Sequence, residues 1–576
     1  MDCRGLGVVS ENPYVHLLND LSLIPISHYF FAFLGFSFAF LYHFLEFHFL
    51  QDLFNGFRGS LVSLTYNPSS PIYHGVVSKC RILHARYLAT PWLSSPHFQT
   101  VFLSLFGRPP AFSYRRELFT LSDGGTVALD WLLSSDVSGG VFSTNNAIPK
   151  GDTTPIVLVI PGLTSDSDAA YIKHLAFNTA KKGWNIVVSN HRGLGGISVT
   201  SDCFYNAGWT EDLRTVVSNL HDEYPNAPLF LVGLSVGANI LVKYLGEDGD
   251  KVPVAGAVAI CSPWDLLIGD RFIGRRLLQK IYDKALTTGL QGYAQLSKRH
   301  QPRFLRLANW EGIKKSRSIR DFDQHATCIV GKFETVDTYY RRCTSANYVG
   351  NVSVPLLCIS ALDDPVCTRE AIPWEECRAN MNIVLATTKH GGHLAFFEGL
   401  TAAGIWWVRA TDEFLKILHS SQYMHVQKMV SFGTQSSLDS SIDQGPYVNI
   451  AEDGMVAAVG NEQAKENRTE DVLEQEKTHQ RKTNEMVSGE QDDHMIKPEP
   501  CSAEIVQSSE QATRRQDSKP LDVITPVRRC LDRLSQQSRW SFWLLVYVAI
   551  VTSWPLVGSA LQIFFRKKLR NVFPAA

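Results

Sequence analysis

Ser235 stands in the pentapeptide Gly233-Leu234-Ser235-Val236-Gly237, between an apolar run at Leu229–Val232 and a stretch of helical periodicity at Ala238–Leu245. A serine hydroxyl is a weak nucleophile until a neighbouring base takes its proton. A sharp strand-to-helix turn lifts such a hydroxyl clear of a sheet edge, and small residues on both sides let the adjoining elements pass. The base and its orienting acid are then expected downstream, in the order Ser, Asp, His. Ala361-Leu362-Asp363-Asp364-Pro365 offers two adjacent carboxylates, and His390-Gly391-Gly392-His393-Leu394 offers two imidazoles. His393 is the preferred base, because the glycines before it allow a tight loop over Ser235, whereas His390 lies nearer the strand end. Asp363 is the preferred acid and Asp364 the alternative, since one residue of strand register exchanges them. The developing oxyanion needs two N–H donors. Val236, next to the nucleophile, supplies one, and Leu163 in Pro161-Gly162-Leu163-Thr164 is expected to supply the other.

These groups must be held by elements, and the chain from about Arg81 to Leu418 alternates between strand and helix patterns. Ile156–Ile160 is a short β-branched apolar run, as a parallel strand buried on both faces requires. Further strands are expected at Asn185–Ser189, Leu229–Val232, Val254–Ile260, Leu356–Ser360 and Ile383–Ala386, with helices at Tyr171–Lys182 and Thr210–Asp222. The fold class is α/β with a mostly parallel sheet. The alternation lapses between Asp265 and Asn351, and residues 266–350 read as an inserted cap rich in arginine and lysine. Such a cap could face anionic lipid headgroups or simply be solvated.

The flanks differ in character. After a short segment at 1–23, Ile24–Leu50 is long and rich in Phe and Leu, a candidate membrane helix. Phe542–Phe565 is a second candidate, bounded by Arg539 and by Arg566, Lys567 and Lys568. Residues 429–521 are polar and charged, with too few large apolar side chains to offset the entropy of folding, and read as a disordered tether. With 55 basic and 56 acidic residues, the chain has no net field to draw nucleic acid. Its 11 cysteines show neither disulfide nor metal-ligand spacing, which points to free thiols in a reducing compartment. No cofactor is called for by any motif. The chain therefore reads as an integral membrane protein whose partners are an ester or lipid substrate and the membrane.

Thr90-Pro91-Trp92-Leu93-Ser94-Ser95-Pro96-His97-Phe98-Gln99-Thr100, Pro161-Gly162-Leu163, Asn190-His191-Arg192-Gly193, Gly233-Leu234-Ser235-Val236-Gly237-Ala238-Asn239, Leu362-Asp363-Asp364-Pro365 and Gly391-Gly392-His393 together resemble a known family. This is the α/β-hydrolase-fold family of the plant embryogenesis-associated hydrolases and their membrane-anchored relatives. The resemblance implies a carboxylic ester hydrolase, in several relatives acting on lipids or short acyl esters, with Ser235, an aspartate and His393 as triad. His97 and His191 match family motifs without an evident chemical role and read as structural. An acyltransferase would use the same residues, and a catalytically silent lipid- or partner-binding scaffold is the alternative from another class.

Overall fold

Five consecutive apolar residues, Ile156–Ile160, form a fully buried strand, β4, at the centre of a nine-stranded sheet. The computed structural model describes residues 23–137, 148–149, 151–295, 299–427, 448–450 and 456–458. The sheet strands are β1 (Ser63–Tyr66), β2 (Arg115–Thr120), β3 (Thr126–Leu132), β4, β5 (Asn185–Asn190), β6 (Leu229–Leu234), β7 (Gly256–Ile260), β8 (Leu356–Ala361) and β9 (Ile383–Thr388). Their spatial order is β1-β9-β8-β7-β6-β4-β5-β3-β2. The six from β9 to β5 are parallel, and antiparallel strands close both edges. Ile156 pairs with Leu229 and Ile160 with Gly233, so the two central strands end level, just before the loops of Pro161 and Ser235.

The helices that matter are α1 (Ile26–Phe44), α2 (Phe49–Phe54), α3 (Pro96–Phe106), α4 (Ala170–Lys181), α5 (Glu211–Glu223), α6 (Val236–Asp248), α7 (Leu266–Ile273), α8 (Leu277–Gln295), α9 (Gln301–Leu307), α10 (Trp310–Lys315), α11 (Val336–Cys343) and α12 (Trp406–His419). One face of the sheet packs on Leu175 and Ala176 of α4 with Trp407 and Phe414 of α12. The other packs on Val216 of α5 and on Leu241 and Leu245 of α6. The Leu, Val and Phe side chains among these contribute about 1.5–3 kcal/mol each when fully buried. Helices α7 to α11 lie between β7 and β8 in the chain, where the strand and helix alternation lapses, and they form the cap.

Four expectations are revised. The sheet has three strands not read from the sequence, β1, β2 and β3, and β1 places the start of the packed domain well before Arg81. The apolar stretch Ile24–Leu50 is not one helix. Glu46 takes a left-handed φ of 54°, the chain turns a corner, and His48 is buried against the domain instead of reaching towards headgroups. The corner is fixed by the His48 N–H, which donates to the Ser94 carbonyl at 2.9 Å, and by the Ser95 hydroxyl, which donates to the Leu45 carbonyl. Among the described residues no helix is long and apolar enough to cross a membrane. Within the expected tether, Val448–Ile450 pairs antiparallel with Val456–Ala458, where β-branched valines recur; its remainder lies outside the described residues, as does Phe542–Phe565. All eight described cysteines are free and seven are buried.

Because β1 and the corner both pack on the sheet and its loops, a fragment spanning residues 45–427 should melt at least about 5 °C above one spanning 70–427. Thermal unfolding followed by circular dichroism checks this. Equal melting would mean that the corner and β1 add no cohesion.

Candidate active site

The turn at Ser235 is built on two missing side chains. A Cβ at Gly233 would lie 2.6 Å from the Gly237 carbonyl oxygen, and one at Gly237 would overlap the carbonyls of Ile160 and Pro161. With both absent, β6 passes directly into α6, and Ser235 at the helix start is held at φ 55°, ψ −121°. A non-glycine residue there is strained, a cost of about 1–3 kcal/mol that the surrounding packing must offset. The strain is the geometry that exposes the hydroxyl.

His393 Nε2 lies 3.0 Å from Ser235 Oγ, and His393 Nδ1 lies 2.9 Å from Asp364 Oδ2. With the proton on Nδ1, the ring donates to Asp364 and accepts from the serine hydroxyl. Asp364 is buried, and its Oδ1 accepts the N–H groups of Val366 and Cys367 at 2.8 and 2.9 Å. The carboxylate is thus fixed from both sides. Asp363, the acid preferred from the sequence, points elsewhere. It accepts from His390 Nδ1 at 3.1 Å and from the Gly392 N–H at 3.0 Å. The physical reason is register: β8 runs to Ala361, and the Leu362 N–H still donates to the Thr388 carbonyl, so extended pairing continues beyond the expected strand end.

Around the proposed oxyanion position the neighbouring donors are taken. Gly162 N–H donates to the Tyr171 hydroxyl at 3.2 Å, Thr164 N–H to the Tyr205 hydroxyl at 3.1 Å, and Ala238 N–H to the Ser235 carbonyl. The N–H groups of Leu163 and Val236 remain, on two residues that border the same cavity as Ser235 and His393. His191 has a structural part here. Buried and held below the usual imidazole pKa by desolvation, it donates its Nε2–H to the Pro161 carbonyl at 3.0 Å and stacks on Tyr205, which steadies the Leu163 loop. His97 is likewise pushed down, to about 4, by burial, and its Nδ1 meets the Tyr282 hydroxyl at 3.2 Å.

Two supporting residues lay inside motifs already noted, without a role assigned to them. Thr100 Oγ1 accepts the His393 N–H at 3.0 Å. Asn239 donates to the Ala207 and Cys343 carbonyls and accepts the Ser345 N–H, tying α6 to the end of the cap. Above Ser235 and His393 the cap overhangs an open-sided cavity of about 1740 Å³, whose walls include Leu290, Phe304, Phe322, Val330, Phe333 and Tyr339. Small-molecule pockets usually span about 300–1,000 Å³, so this one admits a long or branched apolar group.

The sequence pattern of the α/β hydrolase fold matches residues 155–400, a stretch containing Leu163, Ser235, Val236, Asp363, Asp364, His390 and His393. The chain is 36% identical to the embryogenesis-associated protein EMB8 of Picea glauca over 353 residues, 60% of this chain and 76% of that protein. The chain belongs to this α/β-hydrolase family and is a carboxylic ester hydrolase. It is also 33% identical to the mouse phospholipase ABHD3 over 56% of this chain and 75% of the relative. With a monoacylglycerol lipase of Saccharomyces cerevisiae it shares 28% identity over 46% of this chain and 60% of the relative.

Since Asp364 is the carboxylate that meets the His393 ring, Asp364→Asn should lower kcat by about 10⁴-fold if the three side chains act as a triad. Asp363→Asn should cost at least a hundredfold less, roughly 10²-fold at most. Steady-state hydrolysis of p-nitrophenyl butyrate by the two variants checks the order, and a reversed order would return the acid role to Asp363.

Proposed function

We propose that the chain hydrolyses lipid esters through a Ser235–His393–Asp364 triad and an acyl-enzyme. His393 Nε2 takes the Ser235 proton as Oγ attacks the ester carbonyl. The carbonyl oxygen, now negative, is held by the N–H groups of Leu163 and Val236. His393 then gives its proton to the leaving alkoxide, the alcohol departs, and the acyl group remains on Ser235. Water, deprotonated by the same imidazole, adds to the acyl carbon; Ser235 recovers its proton and the fatty acid is released. Asp364 holds the imidazole in the tautomer needed for both halves of the cycle. The observation that carries this reading is the 3.0 Å and 2.9 Å pair of contacts at His393, beneath an apolar cavity of about 1740 Å³.

A lipid substrate is favoured by that cavity's size and apolar walls and by the phospholipase and monoacylglycerol lipase among the relatives. Attachment to a bilayer is part of the same reading. No residue of α1 is buried, although most of them are apolar. On the cap, α8 exposes Leu277 and Ile281 between Arg275, Lys280 and Lys284, which hold no ion pair among the described residues. Apolar side chains interleaved with free cations suit an anionic lipid surface. Other cap cations are committed elsewhere: Arg303 and Arg306 to Asp202, and Arg320 to Asp270 and Asp337. The run Phe542–Phe565 is the stronger candidate for a membrane anchor.

A fluorophosphonate probe should label Ser235 in the intact protein and leave Ser235→Ala unlabelled, as read by peptide mapping. Folded wild-type protein that does not label would favour the scaffold reading. Leu277→Asp combined with Lys280→Glu should reduce turnover of lipid in anionic vesicles several-fold while leaving hydrolysis of a soluble short-chain ester within about twofold. Parallel loss on both substrates would remove the lipid-facing role of α8.

A further inference from the structure

Two adjacent aspartates each hold a histidine, and only one of these pairs reaches the nucleophile. In the second, Asp363 Oδ2 accepts from His390 while Oδ1 accepts the N–H of Gly392, the residue immediately before His393. Gly392 sits at φ 60°, and a Cβ there would lie 2.8 Å from both the Pro96 carbonyl and Thr100 Oγ1. The loop carrying His393 is therefore pressed on the start of α3 from one side and held by Asp363 from the other.

The ring of His390 is covered in turn by His48, with ring centroids 3.6 Å apart and planes 10° from parallel. His48 comes from the corner between α1 and α2, far away in sequence. It is 3% exposed, and neither ring nitrogen has an aligned hydrogen-bond partner. Asp52 Oδ2 stands 3.3 Å from Nε2 without forming a hydrogen bond to it. Burial pushes the His48 pKa down to about 3, with His390 and Lys389 adding to the effect, so the ring is neutral. Leaving two polar atoms buried and unpaired is costly, so the feature of the side chain that the site uses is its flat face. Donor atoms of His48, Asp363 and His390 do lie within 4.8 Å of one another. Stacked parallel rings, however, aim their lone pairs side by side and not at one point, a poor arrangement for a shared cation.

We propose that Asp363, His390 and His48 form a positioning relay that sets the height of the Gly391-Gly392-His393 loop, and that the amino-terminal corner is thereby part of the support of the catalytic histidine. The relay touches no reacting atom. It acts by keeping His393 Nε2 at hydrogen-bonding distance from Ser235 Oγ, where a displacement of 1 Å can cost about 10²-fold in rate. This inference rests on the triad reading above.

The test uses the full chain and its His48→Ala, His48→Phe and Asp363→Asn variants. Each is characterised by kcat and KM on p-nitrophenyl butyrate, by the rate of fluorophosphonate labelling at Ser235, and by thermal melting. His48→Ala and Asp363→Asn should lower kcat and the labelling rate about tenfold or more with KM within about twofold, because the cavity is untouched. His48→Phe, which restores a flat ring, should recover kcat to within about threefold of wild type. Wild-type kcat in folded His48→Ala and Asp363→Asn overturns the relay. So does a His48→Phe variant as slow as His48→Ala, since a ring face would then not be what positions the loop. If His48→Ala does not fold, His48→Phe and Asp363→Asn decide by the same criteria. A wild-type protein that fails to label at Ser235 overturns the triad reading and this inference with it, whereas normal labelling in all variants overturns this inference alone.

Discussion

The site depends on one steric constraint, the close approach of α6 to the end of β4. Gly237 lies against the Ile160 and Pro161 carbonyls, with no room for a methyl group. That approach forces Ser235 into its left-handed conformation and brings the Leu163 loop beside Val236, so the candidate nucleophile and the candidate oxyanion donors are placed by the same contact. Gly233 meets the reciprocal demand from the first turn of α6. The level ends of β4 and β6 then make the sheet edge a rigid platform, because six parallel strands buried on both faces cannot shift singly. Strain at Ser235 is tolerated because the core on both sides over-determines the turn.

What could be read from the sequence followed from how local each signal is. The elbow was legible because strand, glycines, serine and helix are contiguous, and the order Ser, Asp, His fixed where to look next. Parallel strands such as Ile156–Ile160 were legible because burial on both faces writes an unbroken apolar run. The antiparallel edge strands were not, since Arg115–Thr120 is half-solvated and charged and carries no such run. The choice between Asp363 and Asp364 turned on how far β8 extends, a property of its pairing with β9 and not of its own residues. The corner at Glu46 was hidden for a related reason: composition recorded an apolar stretch, while the partner that breaks it, the loop of Ser94 and Ser95, lies elsewhere in the chain.

The tandem Asp363-Asp364 and the spaced pair His390 and His393 illustrate how one short sequence can serve two ends. Adjacent residues leaving a strand diverge, so two neighbouring carboxylates reach two different imidazoles. Asp364 meets its histidine across the tip of the loop and next to Ser235; Asp363 meets the other at the loop's base and also takes the Gly392 N–H. Both carboxylates have their second oxygen occupied by backbone donors, so neither is free to exchange partners. Burial raises the pKa of Asp363, and the hydrogen bonds of His390 and Gly392 oppose that rise, so its bonded form is favoured by the same contacts that fix the loop.

Under the proposed mechanism, substrate access and catalytic geometry are governed by different parts of the chain that meet at one place. The cap supplies much of what bounds the substrate space: its aromatic and aliphatic side chains overhang Ser235, and Asn239 ties its far end to the elbow helix. The amino-terminal corner bears on the other side, through Leu45 at the rim of the cavity and His48 against the histidine loop. Arg276, at the start of α8, pairs with Glu46 of that corner, so cap and corner are in direct contact. The exposed apolar helix α1 joins the domain through this corner, which bears on the Ser94–Ser95 loop, on Arg276 of the cap and on His390. On the proposed attachment of α1 to a lipid surface, a displacement of that helix would be felt first at these contacts, one of which lies against the loop of His393, and only through them at the sheet beneath the elbow.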